Sequence, residues 1–182
     1  DKIQEESAKV TKLTDKITDY LAGLFSSGLL TEQQASQTAG LMYVLGDVER
    51  IGNLSAGIAL SMKEKETNQY KYSQEAMDEL AKCLKTLEKM FDSATKALRG
   101  DTTVELEKLM KRKDKIVNLD IMMRKSHIQR VNKGKCKASL TTPFTNILHL
   151  IDRMGNSCIN LADAATNEVA LKYFLPKDEM TM

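Results

Sequence analysis

Two stretches of this chain repeat each other, and that repetition limits the fold more than any other feature of the sequence. Glu49-Arg50-Ile51-Gly52-Asn53 matches Asp152-Arg153-Met154-Gly155-Asn156 at a constant displacement of 103 positions (49 to 152, 53 to 156). The match continues at the same displacement, pairing Ser36 with Ser139, Thr38 with Thr141, Val44 with Ile147 and Leu45 with Leu148. Val48 with Ile151, Ile58 with Leu161 and Ala59 with Ala162 extend it further. A shared fold unit present in two copies explains such a pattern.

The punctuation of the chain predicts five helices. An apolar stripe of Val10, Leu13, Ile17, Tyr20, Leu21 and Leu24 runs through a first helix over about Ile3 to Phe25, which stops before Ser26-Ser27-Gly28. Thr31 to Gln34 reads as a capping box opening a second helix that lasts to about Glu64. Ser73 caps a third, whose apolar residues recur from Met77 to Leu98 at threes and fours until Gly100. Thr102 to Glu105 reads as another capping box, before a fourth helix that Asn132 and Gly134 end. Thr142-Pro143 supplies the cap and first-turn proline of a fifth, expected over 142–173, with Pro176 just beyond it.

If the second helix corresponds to the fifth, the first corresponds to the fourth, and the third has no counterpart. The expected fold class is all-α, a tandem repeat of antiparallel three-helix bundles whose first copy lacks its N-terminal helix. The first unit then covers 1–66 with two helices and the second 73–176 with three. Apolar surface is expected on the incomplete unit, left as a groove or covered by a second chain in a homodimer.

Composition agrees and removes several function classes. With 2 Pro, 9 Gly and 5% aromatic residues, the chain has the make-up of long helices rather than a sheet. Its 27 basic and 25 acidic residues interleave to a net +2, too weak a field to call for nucleic acid. Lys108, Lys111, Arg112, Lys113 and Lys115 follow Glu105 and Glu107 and enclose Asp114, as on a solvated helix face. Cys83, Cys136 and Cys158 are odd in number and far apart, which fits a reducing cytoplasm rather than a disulfide framework or a zinc cluster. No apolar run approaches the roughly 18 residues of a membrane-spanning helix, and Asp1 reads as a boundary rather than a translational start. His127 and His149 are isolated, the methionines lie mostly at helix positions suited to core filling, with an exposed subset suited to adaptable contact, and no nucleophile or phosphate-binding glycine loop is assembled.

The repeated motif carries the remaining chemistry. Residues four apart share a helix face, so Glu49 projects with Asn53 and Asp152 with Asn156, each pair offering oxygens to a hard cation or to ferric iron. The alternative is structural: Glu49, Arg50, Asp152 and Arg153 form ion pairs while Asn53 and Asn156 bond across helices. Gly52 and Gly155 each cost about 1 kcal/mol relative to alanine in a helix interior, which implies close approach of another backbone.

Leu45-Gly46-Asp47-Val48-Glu49-Arg50-Ile51-Gly52-Asn53 resembles the D-x-E-R-I-G-D signature of PhoU proteins, and Asp152 to Asn156 resembles a second copy. Thr14 to Leu21 with Leu29 to Gln33, and Ser126 to Arg130 with Gly134-Lys135-Cys136, look most like the C-terminal PhoU-like domains of bacterial sodium/phosphate cotransporters. The resemblance implies two three-helix bundles, no catalysis, and a regulatory role in phosphate uptake. Its partner would be a membrane phosphate transporter, either the chain's own transmembrane segment or a separate subunit, at the cytoplasmic face of the inner membrane or in the cytoplasm.

The resemblance also implies metal clusters held by E(D)-x-x-x-D pairs, here Glu49 with Asn53 and Asp152 with Asn156. Iron, zinc or another divalent cation is the implied ligand, and no other cofactor is implied. Both positions depart from the signature as Asn for Asp. An amide carbonyl is a neutral, weaker donor than a carboxylate, so a multinuclear cluster loses charge balance.

Overall fold

In the computed structural model the chain is all-helical over the described residues, 2–67 and 71–167, the side chains of 65, 66 and 167 excepted. Five α-helices follow one another: α1 Lys2–Ser26, α2 Glu32–Thr67, α3 Gln74–Leu98, α4 Leu106–Asn132 and α5 Thr141–Asn167. The part of the fifth expected helix beyond Asn167, together with Pro176 and the end of the second expected unit, lies outside the described residues.

The helix ends show which local signals won. At the start of α2, Thr31 N donates to Gln34 Oε1 at 2.9 Å and Gln34 N donates back to Thr31 Oγ1 at 3.2 Å, a reciprocal capping box. Ser73 Oγ accepts from Ala76 N at 3.2 Å and caps α3. The expected box at Thr102 to Glu105 does not form. Asp101 Oδ1 instead accepts from Thr103 N at 2.9 Å and Thr103 Oγ1 at 2.6 Å. This local turn postpones α4 until Glu105 becomes its cap residue, without a side-chain capping bond.

Nor does α5 begin on Thr142-Pro143. A 3₁₀ turn at Ala138–Leu140 leads directly into it at Thr141, leaving Pro143 in the first turn, where no backbone donor is needed. Gly28, Gly100 and Gly134 end α1, α3 and α4 in the left-handed region, with φ of 67°, 86° and 67°.

Helix α5 is central, packing against α2, α3 and α4. Its contacts with α2 run antiparallel: Asp47 meets Asn160, the Gly57 backbone meets Leu150, and Ser61 meets Asn146. The core fills the space between α3, α4 and α5 with Leu80, Leu87, Met90, Ile116, Met123, Phe144 and Ile151, and reaches α2 through Val44, Ile51 and Leu54. Burying such side chains contributes about 1.5–3 kcal/mol each.

Helix α1 buries only part of its apolar stripe. It packs chiefly against α2, burying Ser7, Thr14 and Leu21, a seven-residue spacing of mostly small polar residues. Its apolar stripe runs beside this line rather than along it, so that Leu21 is buried while Leu13, Ile17 and Tyr20 face outward. Leu13 is 59% exposed and Tyr20 67%, whereas Ile116 and Met123, displaced from them by 103 positions, are 1% and 0% exposed beneath α3.

Candidate functional site

The two copies of the repeated motif lie on α2 and α5, each where a neighbouring helix crosses its glycine. A Cβ placed on Gly52 would meet Val10 Cγ1 of α1 at 3.5 Å, and one on Gly155 would meet Lys113 Cδ of α4 at 3.0 Å. Val10 and Lys113 are themselves separated by the same 103 positions as the glycines. The expected approach of another backbone is not found: the nearest neighbours are side-chain atoms, at ordinary contact distance from Gly52 and tight only at Gly155.

Asn53 and Asp152, one from each motif, bond to different neighbouring helices. Asn53 is exposed and its Oδ1 accepts from Ser7 Oγ of α1 at 3.2 Å, a bond across helices. Glu49 is half-buried on the same helix. In the other copy, Lys113 Nζ donates to and ion-pairs with Asp152 Oδ1, the lysine side chain 12% exposed and the carboxylate 36%. Asn156 is exposed, as are Arg50 and Arg153. The ion pair of the second copy therefore uses a lysine from α4 rather than the adjacent arginine.

These residues do not fit a multinuclear metal cluster. Two of the four positions offer neutral amides, and the ammonium of Lys113 already neutralises Asp152. Among the described residues no group of three or more His, Cys, Asp or Glu side chains is arranged to hold a metal ion.

The comparison with known families falls on this second copy and the helices around it. Residues 80–165 match the PhoU domain. The match takes in most of α3, all of α4 and most of α5, and so includes Asp152 and Asn156 but not Glu49 and Asn53. Neither a curated protein nor a solved structure gives a match to the chain. No helix among the described residues is long and apolar enough to cross a membrane.

Two further clusters in or beside the PhoU-matched segment escaped the sequence reading. His127 is 3% exposed, its Nε2 hydrogen-bonded to Thr141 Oγ1 at 2.8 Å, its Nδ1 3.7 Å from Cys136 Sγ, and its ring stacked on Phe144 at 5.4 Å. Burial, and then the nearby Arg130 charge, hold its pKa below the ordinary histidine value. One helical turn further on, Arg130 lines a polar cavity of about 870 Å³ between the start of α3 and the end of α4. Nothing in a lone histidine or a lone arginine of the sequence signals either arrangement: the first depends on how the turn after α4 folds Cys136, Thr141 and Phe144 back onto His127, the second on the packing of α3 against α4.

A third buried polar group, Asp47, sits between α2 and α5 at 4% exposure and accepts from Asn160 Nδ2 at 3.2 Å. Its charge raises the pKa of the nearby Cys158 thiol, adding to the larger effect of burial, to about 12.

Proposed function

We propose that this chain is a non-catalytic, PhoU-like regulatory or accessory domain of phosphate uptake. It acts through helix-surface contacts with a membrane phosphate transporter, as the cytoplasmic domain of a sodium/phosphate cotransporter or as a separate regulator at the inner membrane. The observation that carries this reading is the PhoU-domain match over 80–165.

The crossings at Gly52 and Gly155, made by residues at one displacement, support extending the PhoU-like reading to a truncated first unit over 1–66 beside a second over 73–176. The stripe containing Leu13, Ile17 and Tyr20 supports a contact role, since all three are exposed and the counterparts of Leu13 and Tyr20 on α4, Ile116 and Met123, are buried.

Phosphate uptake by the host cell tests the reading. Removing this chain, while leaving in place any membrane-spanning portion of its gene, is expected to alter labelled phosphate uptake in phosphate-replete cells. Substituting Leu13→Asp with Tyr20→Asp is expected to reproduce part of that change. Uptake that is unaltered in both replete and starved cells overturns it.

A further inference from the structure

The cavity between the first turns of α3 and the last turns of α4 is lined by two residues, Arg130 and Glu79, that each carry a buried side-chain atom the protein leaves unmatched. Arg130 is 7% exposed, and its Nε is buried without a hydrogen-bond partner. Its Nη1 donates to Ser126 Oγ at 2.5 Å and lies 3.8 Å from Glu75 Oε2. That carboxylate belongs to a side chain 77% exposed, so solvent screens the pair. A guanidinium stays charged at any physiological pH, and a buried charge needs close, hydrogen-bonded compensation.

On the same cavity, Glu79 Oε2 is also buried without a partner. An anion alone would satisfy Arg130 and be repelled by Glu79. A cation would do the reverse. A single small ligand satisfies both if it presents an anionic oxygen to Nε and an O–H to the carboxylate. Around this pair the cavity carries Lys82, Lys133 and Lys135 against Glu75 and Asp78, so counting Arg130 and Glu79 it holds four cations and three anions. That near balance suits a small oxyanion rather than a polyanion.

We propose that this cavity binds inorganic phosphate, with Arg130 Nε donating to one oxygen and Glu79 Oε2 accepting the O–H that hydrogenphosphate retains at neutral pH. Sulfate has no such proton. A phosphate monoester, whose second pKa is near 6, is mostly without one at pH 7.5. The carboxylate therefore selects inorganic phosphate by leaving its competitors with an unpaired, repelled oxygen. The site belongs to the second half of the chain alone, because the position displaced by 103 from Arg130 is Ser27. It rests on the cavity and not on the transport reading, so its failure leaves that reading standing.

Calorimetric titration of the purified chain at pH 7.5, in phosphate-free buffer of constant ionic strength, tests it with inorganic phosphate, sulfate and glycerol 3-phosphate. Phosphate is expected to bind saturably, with sulfate and glycerol 3-phosphate at least roughly tenfold weaker. Arg130→Gln is expected to weaken phosphate by a further factor of roughly ten or more. Glu79→Gln, whose amide can donate to sulfate, is expected to weaken phosphate and strengthen sulfate until the preference disappears. Circular dichroism establishes that each variant is folded, and if Arg130→Gln is not, the half-buried Glu79→Gln still decides. Absence of phosphate binding, equal binding of sulfate, or an intact preference in Glu79→Gln overturns the proposal.

Discussion

Replacing Gly52 with alanine is expected to stabilise the protein, although this glycine stands in its most strongly repeated segment. The added methyl would lie 3.5 Å from Val10 Cγ1 and 3.6 Å from Ser7 Oγ, which are ordinary van der Waals distances. No neighbour has to move, and alanine is favoured over glycine in a helix interior by about 1 kcal/mol. The expected gain is therefore about 1 kcal/mol, or roughly 2–4 °C in Tm for a chain of this size.

Gly155 provides the contrast. There the methyl would lie 3.0 Å from Lys113 Cδ and 3.4 Å from its Cε, in a side chain tethered at its far end to Asp152. Overpacking opposes the propensity gain, so Gly155→Ala is expected to fall between no change and a loss of roughly 2 kcal/mol. Adding Lys113→Ala should then recover much of the gain. Urea unfolding followed by circular dichroism measures all of these. A lower urea midpoint for Gly52→Ala at unchanged m-value would refute the steric reasoning, as would a Gly155→Ala variant as stable as Gly52→Ala.

Other parts of the molecule give further expectations. Burial pushes the thiols of Cys83 and Cys158 up to about 11 and about 12, so at pH 8 only Cys136 should react with a thiol reagent in the native protein, against three in urea; rapid native reaction of all three would contradict the packing. His127 has a depressed folded pKa, so the unfolded chain takes up the proton first, and stability present at neutral pH should decline as pH falls below about 6.5. The urea midpoint should show that decline in the parent and a smaller one in His127→Gln, and equal declines would exclude His127 as its source. The purified protein should carry little iron or zinc by elemental analysis, and Asn53→Asp with Asn156→Asp should gain metal mainly when Lys113→Met also releases Asp152. Stoichiometric metal in the unmodified chain would overturn that.

Helices α1 to α5 were legible because their signals are local: periodic apolar residues, a capping box at Thr31, a serine cap at Ser73 and glycines after three helix ends. The box at Thr102 misled because two local solutions compete there, and the Asp101 carboxylate captures the Thr103 donors. The face that α1 buries cannot be read from its apolar stripe. Periodicity shows which residues are apolar but not which neighbour is present, and the α1–α2 contact uses Ser7, Thr14 and a glycine crossing that carry little hydrophobic signal. The motif itself was visible, whereas Lys113 as the partner of Asp152, and Arg130 with Glu79 across α4 and α3, depend on pairings between distant helices. Single-sequence patterns hold no record of those.

The lopsided seating of α1 has a consequence for how the molecule breathes. Joined chiefly to α2 through small side chains, α1 can lift away while the remaining helices stay folded, so its amides should exchange with solvent by a local opening of lower free energy than global unfolding. Amides of α5, clamped by three neighbours, should exchange only with the whole. Anything that settles against Leu13 and Tyr20 would slow exchange in α1 first and most, making that helix a built-in reporter of occupancy on its own outer face.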